Sequence, residues 1–217
     1  MQKTFVMSWS GGKDSALAYY RAVLDGNVPV ALLTMFEEDG SKSRSHGLPL
    51  EIMEAQAERM GLPLRIGKAD WNNYEKEFIS LLKNFKSEGI DMGVYGDIDL
   101  EDHRAWVQKV SNEADIEVSH PLWGEPRRNL LEELIAEGFK AVITVVDTAR
   151  MDPKFLGREF TLKLIEELEA LGIDACGEEG EFHTVIVDGP IFVEAVPAVF
   201  GEVIEAGQYR VLEVKLQ

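Results

Sequence analysis

Eight consecutive residues, Pro29–Phe36 (PVALLTMF), carry no charge and no alternation of apolar with polar side chains. A strand sends successive side chains to opposite faces, so a strand of this composition has to be covered on both sides. That requirement points to the interior of a parallel sheet flanked by helices. The surrounding sequence supplies the other parts. Thr4–Ser8 (TFVMS) is a short apolar run stopped by Trp9-Ser10-Gly11-Gly12, and Pro63–Gly67 and Asp91–Gly96 also read as strands. Between them lie helical patterns. The first begins at Asp14, sets Leu17, Tyr20 and Leu24 on one face and stops at Gly26. Leu50–Met60 is the second and Tyr74–Ser87 the third, with Phe78, Leu81, Leu82 and Phe85 in phase. The fourth, Asp102–Ala114, aligns Trp106, Val110 and Ala114. Strand–helix alternation with short connections predicts βαβ units, an α/β fold with helices on both faces of a parallel sheet.

His120-Pro121-Leu122-Trp123-Gly124 breaks this rhythm and is read as a boundary, giving one domain over 1–123 and a second, smaller one over 124–217. Beyond it come a helix (Arg127–Glu137), a strongly apolar strand (Ala141–Val146) and a helix near Glu159–Leu171. Strands are expected at Phe182–Val187, Ile191–Val193 and Tyr209–Leu216, so the second part is α+β in character.

Charge and composition remove several function classes. The 217 residues carry 22 Lys plus Arg against 39 Asp plus Glu, a net charge of −17, which opposes broad electrostatic binding of nucleic acid. One cysteine excludes a disulfide framework. Four histidines without H-E-x-x-H or clustered spacing give no zinc motif. No apolar run approaches the roughly 20 residues that span a bilayer, and Met1–Trp9 lacks the basic and apolar regions of a secretory signal. A soluble, cytoplasmic protein without nucleic-acid or membrane partners is expected.

Ser10-Gly11-Gly12-Lys13-Asp14-Ser15 lies between the first strand and the first helix. Ligands of open parallel sheets bind beyond the carboxyl ends of strands, where this loop falls. Paired glycines let main-chain N–H groups turn toward an anion, and the helix N-terminus adds partial positive charge. Ser10 and Ser15 add hydroxyls and Lys13 a full charge; Asp14 could hold Mg²⁺ or cap the helix. The bland alternative is a plain strand–turn–helix corner. G-x-x-x-x-G-K-[ST] and G-x-G-x-x-G do not occur.

Cys176-Gly177-Glu178-Glu179-Gly180-Glu181-Phe182-His183-Thr184 is the second concentration of chemistry. Such a loop could hold a cationic substrate and relay protons, or could be an acidic turn in which His183 pairs with a carboxylate. Other candidates each have an ordinary counterpart. Glu37–His46, with Lys42, Arg44 and His46, reads as a lid or as an exposed loop. Asp97 reads as a substrate or metal ligand or as a helix cap. His103 and Arg104 read as a site or a surface ion pair, and Arg158 as a substrate counter-charge or a partner of Glu159. Cys176, without a basic neighbour, is read as structural, and Trp123 as interdomain packing.

The hexapeptide Ser10–Ser15 resembles the PP-loop of the N-type ATP pyrophosphatases. The resemblance extends to their diphthine–ammonia ligase family through His46-Gly47, Gly96-Asp97-Ile98, His103-Arg104-x-Trp106, Pro121-Leu122-Trp123, Leu156-Gly157-Arg158 and Gly177-Glu178-x-Gly180-Glu181-Phe182-His183-Thr184, in the family's order over nearly the whole length. Glu179 departs from it, standing where the family favours a small or amide residue. The resemblance implies a HUP-type, Rossmann-like nucleotide-binding domain followed by an α+β substrate domain. It implies an AMP-forming ligase that uses ATP and Mg²⁺ to adenylate a carboxylate, which ammonia then converts to an amide. The implied acceptor is diphthine on elongation factor two, and a homo-oligomer is a candidate assembly. Ser10, Gly11, Gly12, Lys13, Asp14 and Ser15 would bind phosphates, with Asp14 on the metal. Lys13, Asp14, Glu181 and His183 would be catalytic. His46, Asp97, Arg104, Arg158, Glu178 and Thr184 would bind substrate. Two alternatives stand beside this reading: adenylation of a different small carboxylate or carbonyl, and a nucleotide-binding protein without turnover.

Overall fold

The computed structural model describes residues 2–44 and 46–217. Met1, in the stretch read for a signal, and Ser45, in the expected polar loop, lie outside the described residues. Five strands form one parallel sheet: β1 (Thr4–Ser8), β2 (Val28–Phe36), β3 (Leu64–Lys68), β4 (Met92–Val94) and β5 (Glu117–Ser119), in the order β3-β2-β1-β4-β5. Helices α1 (Lys13–Leu24), α2 (Leu50–Met60), α3 (Tyr74–Ser87) and α4 (Glu101–Glu113) connect them. The α/β parallel-sheet architecture read from the sequence is present. The chain winds outward from β1 through β2 to β3, then returns to the other side of β1 for β4 and β5. The switch point therefore lies between the carboxyl ends of β1 and β4, where such sheets bind ligands.

Alternation along the strands explains the layering. Phe5, Met7 and Trp9 point into one apolar core with Leu32 and Phe36, while Val6 points into the other with Ala31, Leu33 and Met35. The second core is closed by α3 and α4 through Phe78, Ile79, Leu82, Phe85, Val107 and Val110. The first core continues past α1 and α2 into a second sheet.

That second sheet is antiparallel and contains β6 (Lys140–Asp147), β7 (Phe182–Asp188), β8 (Ala198–Ala206) and β9 (Tyr209–Leu216), ordered β7-β6-β9-β8. Helices α5 (Arg127–Ala136) and α6 (Leu162–Ala170) accompany it, with a single 3₁₀ turn at Pro153–Phe155. Helix α1 touches β1 and β4 on one side and β7 on the other, and α2 likewise lies against β3 and β9. Helix α1 is buried nearly all round, and its small residues Ala16, Ala18 and Ala22 let both sheets approach it.

Four elements differ from expectation. Ile191–Val193 is a turn and bend, not a strand; Val193 is 86% exposed and its N–H donates to Arg59 O (2.9 Å) instead of to a sheet. Strand β8, unanticipated, is an exposed edge strand with a register shift between Phe200 and Val203. Strand β5 is only three residues long. The helix expected near Glu159–Leu171 starts at Leu162, because Thr161 caps it by accepting from the Leu164 N–H (3.2 Å).

Candidate active site

The phosphate-loop candidates sit where β1 ends and α1 begins. Gly12 is the N-cap of α1 and has no side chain to occupy the N–H groups of the first turn, which have no intrahelical acceptors. Gly11 adopts φ +80°, and a Cβ there would fall 2.7 Å from Leu48 Cδ1 and 2.9 Å from Gln56 Oε1. Ser10 Oγ and Ser15 Oγ are 3.0 Å apart, and Ser15 Oγ donates to Gly12 O (3.0 Å).

The loop is bonded to the second sheet. Ile186 N–H donates to Gly11 O (2.9 Å), and Lys13 N–H donates to Thr184 Oγ1 (3.1 Å). Gln56, fully buried on α2, accepts from Trp9 Nε1 (2.9 Å) and donates Nε2 to Gly11 O (3.0 Å) and Ile186 O (2.8 Å). Every polar atom of this amide is thus used to join the loop to β7.

Around the loop opens a cavity of about 910 Å³. Ser10, Lys13, Asp14, Ser15, His46, Asp97, Glu178, His183 and Thr184 all line it. The Lys13 ammonium is 4% exposed and donates to both Asp14 oxygens at 2.8 Å. Burial works against its charge, but neighbouring anions, Asp14 foremost, outweigh that and hold its pKa above the ordinary lysine value. Burial raises Glu178 to about 7, with Asp14 adding to the effect. His183 is lowered to about 4 by burial and then by Lys13. His46 is also held well below its usual value, by burial, His183 and Lys13. The two rings lie 4.7 Å apart between centroids, so this wall presents neutral imidazoles at neutral pH. Only glycine at 12 permits the arrangement, since a Cβ would fall 2.6 Å from His46 Nε2.

The switch point brings in Asp97. Gly96 follows β4 so closely against the loop that a Cβ would lie 3.0 Å from Asp14 C and Ser15 N. Arg127 then clips two loops together: it donates to Asp99 (2.7 and 2.8 Å) beyond β4 and to Asp174 (2.6 Å) ahead of the Glu178 turn. Asp174 in turn accepts from the N–H groups of Cys176 and Glu178, both at 3.0 Å. Farther out the cavity wall is aromatic, with Tyr74, Phe78 and Trp106 in mutual contact and Trp71 at its rim.

Several sequence candidates lie elsewhere. Arg104 stacks over Trp123 (4.5 Å) and pairs with Glu101 (3.7 Å), and Arg158 pairs with Glu167 (2.8 Å); neither lines the cavity. Glu181 is buried beside the cavity without lining it, and its Oε2 has no hydrogen-bond partner among the described residues. Among the described residues of the polar loop, only His46 reaches the cavity. Lys42 pairs with Glu37 (3.8 Å), while Arg44 donates to Ala69 O (2.8 Å) and stacks on Trp71 (4.5 Å). Burial pushes the Cys176 thiol to about 12, which leaves it inert at neutral pH. Gln56 and Arg127 were not singled out in the sequence. A signal for Gln56 existed: it shares a helix face with the apolar Ile52, Met53 and Ala57.

Residues 2–118 match the family profile described as diphthamide synthase N-terminal domain, and 126–210 match the diphthamide synthase C-terminal domain. The chain belongs to the diphthamide synthase family. Within it, this protein is 27% identical to the diphthine–ammonia ligase of Rattus norvegicus over 86% of this chain and 79% of that one. It is 29% identical to that of Danio rerio over 86% and 83%. The Schizosaccharomyces pombe diphthine–ammonia ligase is 26% identical over 95% of this chain but only 38% of its own length. A solved structure from Methanocaldococcus jannaschii, described as a predicted subunit of tRNA methyltransferase, superposes over 86% of this chain and 98% of that one, with a TM-score of 0.46 and 16% identity. No helix among the described residues is long and apolar enough to cross a membrane.

Proposed function

We propose that this protein is an ATP-dependent carbon–nitrogen ligase that activates a carboxylate as an acyl-adenylate and joins it to ammonia. The observation that carries the reading is the phosphate loop between β1 and α1, bonded to Thr184 and Ile186 of β7 inside one cavity. An anion-binding corner and the glycine-rich stretch from Gly177 to Thr184, Glu181 apart, share a single space, as a two-substrate ligation needs. The relatives named diphthine–ammonia ligase support diphthine as the acceptor, and the family resemblance places that diphthine on elongation factor two.

The chain's own groups have definable tasks. The Asp14 and Ser15 N–H groups of the α1 first turn, the Ser10 and Ser15 hydroxyls and the Lys13 ammonium bind the phosphates, while the Lys13 N–H stays on Thr184, and the Lys13 ammonium leaves Asp14 in part to do so. His46 and His183, held neutral, donate or accept single hydrogen bonds without adding charge. Asp14 would hold Mg²⁺. Among the described residues no three His, Cys, Asp or Glu side chains cluster as a metal cage, so Asp14 would share the ion with the phosphates, the usual way Mg²⁺ is held. When bound, that ion supplies charge neutralisation on the phosphates. Adenylation converts a poor electrophile into one with AMP as leaving group, and the cavity holds it for the amine.

The test uses purified protein with ATP, Mg²⁺, ammonium chloride and elongation factor two carrying diphthine. AMP and pyrophosphate should form together with one amide per AMP. ATP turnover that yields ADP, or no turnover with any carboxylate acceptor tried, would refute the assignment.

A further inference from the structure

Asp97 is a mostly buried carboxylate, its side chain 18% exposed, on the wall of the cavity. Its two oxygens face two imidazoles at ion-pair distances: His103 Nδ1 at 3.7 Å and His120 Nε2 at 3.3 Å. His120 Nε2 makes no hydrogen bond among the described residues, so its position backs Asp97 without saturating it. His120 itself is packed between Tyr95 and Trp123. His103 stands in the first turn of α4, 64% exposed in its side chain, and lines the same cavity. With Nδ1 turned to Asp97, Nε2 is the ring nitrogen left to accept a proton. Of the carboxylates in the lining, Asp14 pairs with Lys13 (2.8 Å), Glu75 with Lys109 (2.6 Å) and Glu179 with Arg150 (3.3 Å), which leaves Asp97 and Glu178 without a lysine or arginine in ion-pair contact among the described residues. Such a wall concentrates small cations.

We propose that the Asp97–His103 pair is the port at which the ammonium ion binds and is deprotonated, with His103 as the catalytic base and Asp97 as its positioning residue. This rests on the ligase reading above and adds to it the group that makes the amine reactive. One proton passes from ammonium to His103 Nε2. The freed nitrogen lone pair forms the C–N bond to the acyl carbon, and the C–O bond to the phosphate breaks with its electron pair leaving on AMP. The nitrogen then releases a second proton to water. Gly96 sets the distance: its contact with Asp14 and Ser15 holds the port beside the phosphate loop. Asp97 itself is kept ionised, at about 2; burial opposes its charge, but His103 and His120 outweigh it. Asp97, then Glu178 and Asp102, raise His103 above its usual value against the effect of partial burial.

The experiment compares the unaltered protein with His103→Gln and Asp97→Asn, using diphthine-bearing elongation factor two, ATP and Mg²⁺, with ammonium chloride or hydroxylamine as nucleophile. Hydroxylamine is already neutral near pH 7 and needs no deprotonation before attack. His103→Gln should lower ammonium-dependent amide formation about a hundredfold, and hydroxylamine should rescue product formation. Asp97→Asn should move the rise of the ammonium pH–rate profile. Equal loss with both nucleophiles, or no loss with either, would overturn the proposal. A second measurement needs no turnover. Ammonium chloride should shift the His103 imidazole resonances where the same concentration of tetramethylammonium chloride does not, and Asp97→Asn should abolish the shift. Absence of an ammonium-specific shift would also overturn the port, whereas an unaltered protein that binds ammonium here but forms no amide would count against the ligase reading alone.

Discussion

Replacing Gln56 measures how firmly the phosphate loop is tied to the second sheet. The amide is fully buried and makes three hydrogen bonds, to Trp9, Gly11 and Ile186. Gln56→Met keeps the volume and removes all three. At about 1 kcal/mol net for each bond, with a further 1 kcal/mol or so for leaving the Trp9 N–H buried and unpaired, the loss comes to about 4 kcal/mol. Gly11 O is partly spared, because it still accepts from Ile186 N–H. Against a total stability of roughly 5–15 kcal/mol, the variant should fold but be marginal. Gln56→Glu is the sharper test. An ionised carboxylate there would face two carbonyl oxygens, so the folded state holds the acid protonated and raises its pKa above the unfolded value of about 4.3. A raised acid pKa contributes stability at low pH that is lost as pH rises through the folded value. Urea unfolding at several pH values reads both effects: Gln56→Glu should fall further behind the unaltered protein at pH 8 than at pH 5, while the Gln56→Met deficit stays constant. Deficits under about 1 kcal/mol for both variants, independent of pH, would refute the reasoning.

Lys13→Ala should lower turnover at least a hundredfold, the order expected for removing one preorganised charge from the reacting centre, with a melting temperature close to that of the unaltered protein; normal turnover would remove Lys13 from the site. His183 has a folded pKa of about 4 against roughly 6.5 unfolded. The unfolded chain therefore binds more protons between those values, and this contribution to stability, complete above pH 6.5, falls by roughly 2 kcal/mol on going from pH 7 to pH 5. His183→Gln should flatten that part of the stability curve, and parallel curves for the two proteins would exclude the effect. Gly96→Ala forces a methyl onto the Asp14–Ser15 backbone; a loss of roughly 1–3 kcal/mol in chemical unfolding and weaker ATP binding by titration are expected, and a neutral outcome would show that the β4–α4 connection is free to move away.

The parallel sheet was legible because its inner strands are apolar on both faces, as in Ala31–Phe36. Strand β5 was not, since Glu117–Ser119 is short and partly exposed and carries no apolar signature. Ile191–Val193 misled for the opposite reason: three apolar residues in a row resemble a strand, yet a turn leaves Val193 in solvent. Strand β8 escaped because Gly201, Glu202 and a register shift interrupt its alternation, and pairing with β9 rather than burial holds it. At the site, the glycine-rich hexapeptide announced itself through composition. Asp97, from the other side of the switch point, and His183 and Thr184, from the far sheet, could be placed beside it only by the three-dimensional path of the chain. Arg104 and Arg158 show the limit of reading charge from a line of text: each finds an aromatic face and a nearby glutamate before it finds the cavity.

The hydrogen bonds from Lys13 to Thr184 and from Ile186 to Gly11 have a consequence for how such proteins can be recombined. A chimera keeping the first half and borrowing the rest from a stranger inherits an unfinished nucleotide grip unless the newcomer brings a hydroxyl and a strand edge to the same two places. New acceptor specificities therefore cannot be bolted on as free modules. The two halves have to drift together, each change in the later one being tested against the hold on the nucleotide in the earlier one.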